Sequence, residues 1–118
     1  MYNENDIIKL KSIQTKLNTI TTIVQRHDGI VKALEDIEGQ PAILMLLVAI
    51  AEQFNKLENL ESNILDTFNK HDLKGMASIR NFIAHDYDGI NLAIIEDVIR
   101  YKLEPVAQIV DNILENIS

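Results

Sequence analysis

The chain has 118 residues, no cysteine, and eleven Lys and Arg against eighteen Asp and Glu, for a net charge of −7 at pH 7. That length suits a single domain over 1–118, and surface scaling lets roughly two-thirds of the unfolded chain's surface be buried without covalent staples. The absence of thiols excludes a disulfide framework, a Cys-ligated metal centre and a thiol nucleophile, and it fits a cytoplasmic setting; the acidity excludes a broad basic face for nucleic acid, so any such contact has to be local. The start, Met1 to Asp6, is acidic and polar, unlike a secretory signal. The longest apolar run, Ala42 to Ala51, is ten residues, too short for the roughly 20 that a membrane span needs.

In the first segment Leu10, Ile13, Leu17, Ile20 and Val24 recur at spacings of 3, 4, 3 and 4, which predicts a helix from about Asp6 to Arg26. His27-Asp28-Gly29 interrupts it, and a short amphipathic piece carrying Ile30, Val31, Leu34 and Ile37 follows, ending at Gly39. Pro41 suits the first turn of a central helix from Pro41 to about Leu60, apolar nearly all round until Glu52, Gln53, Asn55 and Lys56. A brief helical segment around Ile64, Leu65 and Phe68 leads to Asp72, a candidate N-cap for a helix from Leu73 to about His85. The last helix starts near Asn91 and carries an apolar stripe from Leu92 to Ile117, with Pro105 inside it as an expected kink. The sum is an all-α, up-and-down bundle of four main helices plus one or two short ones, with little support for β structure.

Several chemistries are excluded by spacing. Gly29, Gly39, Gly75 and Gly89 are isolated, so neither a phosphate-cradling loop nor a dinucleotide fingerprint can be built. His27, His71 and His85 form no His-x-x-x-His pair, which argues against a dedicated metal site, and no cofactor is implied. Asp86-Tyr87-Asp88-Gly89 lacks the ligand spacing of a calcium loop. His27 and His71 read as exposed residues between helices, Tyr2 as part of a frayed terminus and Tyr101 as packing at a helix edge. Glu52, emerging from an apolar helix, is either a buried carboxylate or the start of a solvated face.

What remains is Ser78-Ile79-Arg80-Asn81-Phe82-Ile83-Ala84-His85-Asp86-Tyr87. At about 100° per residue, Asn81 and His85 share a face one turn apart, while Arg80 and His85 differ by about 140°. For the two to meet, Arg80 reaches round the helix, the helix ends and re-aims the imidazole, or a second subunit brings another Arg80 to the cleft. A guanidinium beside an imidazole suffices for metal-free RNA cleavage. The imidazole moves a proton to or from the 2′-hydroxyl or the leaving 5′-oxygen, and the arginine offers paired donors as charge builds on the phosphate. On spacing alone, a solvated arginine and a helix-end imidazole near the last carbonyls is the commoner meaning of such a pair.

The stretch from Ile79 to Tyr87, with Arg-Asn, four residues between Arg80 and His85, and His-x-Tyr together, resembles the signature of the HEPN superfamily and specifically of its HepT-like branch. The layout is also similar: a long first helix, an apolar central helix ending in a Glu-containing turn (Ala49 to Phe54), a short segment, the motif helix, and a long last helix with a proline. Two positions depart from the family's pattern, with no aromatic among Leu73, Met76 and Ala77, and Ala51 standing where a glycine precedes the glutamate. The resemblance implies a HEPN-like helical domain acting as a metal-independent ribonuclease toxin. It also implies a homodimer whose two motifs line one cleft, and a minimal nucleotidyltransferase as the paired antitoxin. It puts Arg80 and His85 at the catalytic positions, Asn81 at the polar position after the arginine, and Tyr87 at the tyrosine that the antitoxin is thought to modify with AMP. A charged, bulky group there would repel RNA phosphate. Two other readings stand beside it: a non-catalytic HEPN accessory or substrate-binding partner of a nucleotidyltransferase, and a purely structural helical partner in which Arg80 pairs with a carboxylate such as Glu52 and His85 caps its helix.

Overall fold

The computed structural model describes residues 2–117. The chain begins with α1 (Glu4–Arg26), whose N-cap Asn3 accepts a hydrogen bond from the Asn5 amide at 2.7 Å. Leu10, Ile13, Leu17 and Ile20 are buried along its inner stripe, as their spacing requires. The helix stops where Asp28 (φ 62°) and Gly29 (φ 138°) enter the left-handed half of the backbone map, a reversal that glycine makes without a steric penalty. One further turn and a half forms α2 (Ile30–Glu35).

Next comes α3 (Gly39–Asn59), the central helix, burying Ile43, Leu44, Leu47, Ile50, Ala51, Phe54 and Leu57. Both α1 and α4 pack against it. Gly39 was expected to close the preceding short helix; instead it opens α3, because the Asp36 carboxylate accepts from the Glu38 and Gly39 amides at 2.9 and 2.8 Å and supplies the donors' partner. Those amides, Gly39 first, hold the Asp36 carboxyl below its ordinary range.

Beyond α3, a 3-10 turn (Asn63–Thr67) leads to Phe68, whose ring meets Phe54 edge-on with centroids 5.5 Å apart. This connection is tied back to α1 where buried Ser62 donates to buried Asp6 at 2.6 Å. The chain continues through α4 (Lys70–His85), α5 (Leu92–Asp97) and α6 (Leu103–Ile117), the last two joined by a π-helical turn at Val98–Lys102. There the Leu103 amide reaches back five residues to the Val98 carbonyl. Pro105 has no amide to donate and its ring crowds the carbonyl four residues earlier, so the disturbance expected of it takes the form of this widened turn immediately upstream. With α6 packed on α1 and α4 on α3, the result is the expected all-α bundle of four long helical stretches with short extra turns. No helix among the described residues is long and apolar enough to cross a membrane.

Candidate functional site

The motif residues lie on and just beyond α4. Asn69 caps this helix, accepting from the His71 and Asp72 amides at 2.8 and 3.3 Å, so the helix starts three residues before the Leu73 expected from sequence. Asp72, the expected cap, is instead in the first turn, where a negative charge still favours the helix dipole. Met76, Ile79 and Ile83 form the buried face against α3. His85 is the last helical residue, and Asp86 turns the backbone away (φ −147°, ψ 61°).

Arg80 points toward α3. Its Nε donates to Oε1 of Glu52 at 3.0 Å, with the arginine side chain 51% exposed and the glutamate 46% exposed. Of the two meanings open for Glu52, the structure gives the half-solvated one: the carboxylate is at the helix surface and is committed to Arg80. The terminal nitrogens of Arg80 make no hydrogen bond among the described residues. Asn81, His85 and Tyr87 are exposed and their side chains likewise form no hydrogen bond among the described residues, Tyr87 being 43% exposed. Because α4 stays helical through His85, the rotation of about 140° between Arg80 and His85 is preserved. The helix does not end early to re-aim the imidazole, and Arg80 does not reach round toward it. One protomer therefore holds the two on separate faces of α4.

Two concavities flank the motif helix, and their chemistry differs. Between α4 and the α5–π–α6 stretch lies a groove of about 400 Å³, lined chiefly by Met76, Ile79, Phe82, Ile94, Val98 and Val106, with His71, Ser78 and Lys102 as polar neighbours. On the Arg80 side an open hollow of about 280 Å³ is lined by Glu52, Asn55, Lys56, Asn59 and Arg80. Asn55, Lys56 and Asn59 carried no role in the sequence reading. Their signal was nevertheless there, since 52, 55, 56 and 59 fall at i, i+3, i+4 and i+7, the positions that share one helix face. Among the described residues no group of three or more His, Asp and Glu side chains is placed to hold a metal ion.

Three residues read as peripheral sit differently from expectation. His27 is half-buried, its Nδ1 2.8 Å from the Ile23 carbonyl and its Nε2 3.2 Å from Asp36, so it latches the α1 terminus to the start of α3 rather than standing in solvent. Tyr2 packs against the core instead of fraying, and Tyr101, on the outside of the π-helical turn, is 64% exposed rather than packed.

Comparison with known proteins bears on this arrangement. The model of the family described as "Ribonuclease HepT-like" matches residues 13–113, which takes in every motif residue. A Methanocaldococcus jannaschii protein provisionally named an RNase is 30% identical over 85 residues, covering 72% of this chain and 68% of that one. No solved structure matches the chain.

Proposed function

Since the chain belongs to the HepT-like ribonuclease family of the HEPN superfamily, we propose that it is an endoribonuclease that cuts RNA without a metal ion, using Arg80, Asn81 and His85. The observation that carries this reading is the state of the arginine: Nε is anchored on Glu52 while the terminal nitrogens, the pair that matches two phosphate oxygens, are left open. In the reaction the substrate's 2′-hydroxyl attacks the adjacent phosphorus and the bond to the 5′-oxygen breaks, leaving a 2′,3′-cyclic phosphate and a 5′-hydroxyl. The solvent-facing His85 imidazole carries the proton to or from one of these oxygens, Arg80 stabilises the charge that builds on the phosphate, and Asn81 adds a polar donor one turn before His85.

The working unit is a homodimer. A single protomer keeps Arg80 and His85 on different faces of α4, and a second copy brings a second motif helix with its own Arg80 and His85. The apolar groove beside Phe82 supports self-association: its charged neighbours, Asp72 and Lys102, balance, so two copies of a chain of net charge −7 meet there away from their excess negative charge. The partner in regulation is a nucleotidyltransferase antitoxin acting on Tyr87, whose exposed hydroxyl follows the motif helix directly.

The test is cleavage of labelled RNA in EDTA by the chain purified without a partner, beside a folded His85→Ala variant, with the intact mass of both recorded. Cyclic-phosphate ends that disappear in the variant are the expected result. Failure of an unmodified dimer to cut several RNAs would instead favour the accessory, substrate-binding reading, which the overall acidity already suits.

A further inference from the structure

The two hollows beside α4 offer an RNA strand different surfaces, and they decide which side of the motif helix it takes. The groove next to Phe82 is almost wholly apolar. The hollow on the Arg80 side is polar, and its charges are Arg80 and Lys56 against Glu52, a local excess of one positive charge on a chain of net charge −7. Glu52 is already engaged by Arg80 Nε, whereas the side chains of Lys56, Asn55 and Asn59 make no hydrogen bond or ion pair among the described residues. These three follow Glu52 along one face of α3, so the free donors extend from Arg80 toward the C-terminal end of that helix over about 10 Å, the rise of seven residues.

We infer that the α3 face bearing Lys56, Asn55 and Asn59 is the track for the RNA backbone flanking the phosphate held by Arg80, with Lys56 neutralising a neighbouring phosphate and the two amides donating to phosphate or sugar oxygens. This rests on the ribonuclease reading and adds the path of the strand to it. Contacts of this kind bind all sequences about equally, so the track sets affinity and salt dependence and not the choice of base.

The experiment measures binding of a fluorescein-labelled single-stranded RNA, in a mixed-sequence and an oligouridine version, across a salt series. The His85→Ala protein keeps the probe intact; it carries Lys56→Ala, Lys56→Arg or Lys74→Ala as the second change. Lys74 is an equivalent cation on α4, turned about 120° from Arg80. Lys56→Ala is expected to weaken both RNAs by the same several-fold factor and to lower the slope of log K against log salt by about 0.7, the loss of one phosphate contact on a single strand. Lys56→Arg restores the slope, and Lys74→Ala leaves it unchanged. In the cleaving chain Lys56→Ala raises KM and leaves kcat in place. RNA binding with an unaltered slope in Lys56→Ala, or a loss confined to Lys74→Ala, overturns the track while leaving the ribonuclease reading standing; no RNA binding by any form, together with no cleavage, overturns both.

Discussion

At the scale of single residues, the Arg80–Glu52 pair separates a structural from a functional motif. Both side chains are about half exposed, and ion pairs in that setting contribute only about 0–1 kcal/mol. A double-mutant cycle of Arg80→Ala and Glu52→Ala, read by urea denaturation, is therefore expected to give a coupling below about 1 kcal/mol with both single variants folded. A cooperative loss of several kcal/mol would make the pair a fold feature. Asp36 carries a stability dependence on pH. Its carboxyl is held below the ordinary 3.8 by the Gly39 and Glu38 amides, so it stabilises the fold above that value and the contribution fades as pH falls through the lowered one. Thermal denaturation of Asp36→Asn across this acid range should show a shallower decline than the parent chain.

Among the elements, two glycines in helices predict opposite signs. Gly75 lies inside α4 with nothing within 4 Å of where a Cβ would sit, so Gly75→Ala should stabilise the motif helix by about 0.5–1 kcal/mol. A Cβ at Gly39 would run into the Ala33 carbonyl, which is backbone and has no rotamer to yield, so Gly39→Ala should destabilise in spite of the same propensity gain. Chemical denaturation of the two variants side by side checks both. The sequence gives no hint of the difference, since both glycines are isolated between helix formers; the distinction is made by a neighbouring turn folded over one of them. Helix ends were similarly only half legible. The last helical stretch starts near Asn91 as expected, with Asn91 as its cap, but Asn69 takes the cap of α4 in place of Asp72, because several polar residues in a row offer rival caps and packing against α3 fixes which turn comes first.

For the whole molecule, the open edge between α4 and the last helical stretch is the feature with the largest consequence. Phe82 and Ile94, which line it, are exposed at 38% and 44%. A charge at Phe82 would cost a dimer dearly and a monomer little, so Phe82→Glu should halve the solution mass measured by sedimentation and lower cleavage, with the helical content retained. A parent chain of single mass, 13.4 kDa, that cuts RNA would remove the need for a second copy.

The sequence by itself determined the helices and the core stripe, because a 3-4 apolar repeat has one low-energy burial and needs no distant partner to be read. It also determined the motif helix and, through the Arg80 to Tyr87 pattern, the family. Only the tertiary structure decided the direction of Arg80, the state of Glu52 and the companionship of Lys56, Asn55 and Asn59, because each depends on how α3 lies against α4. Between residues 28 positions apart that contact is set by the packing of whole helices, and no local periodicity records it.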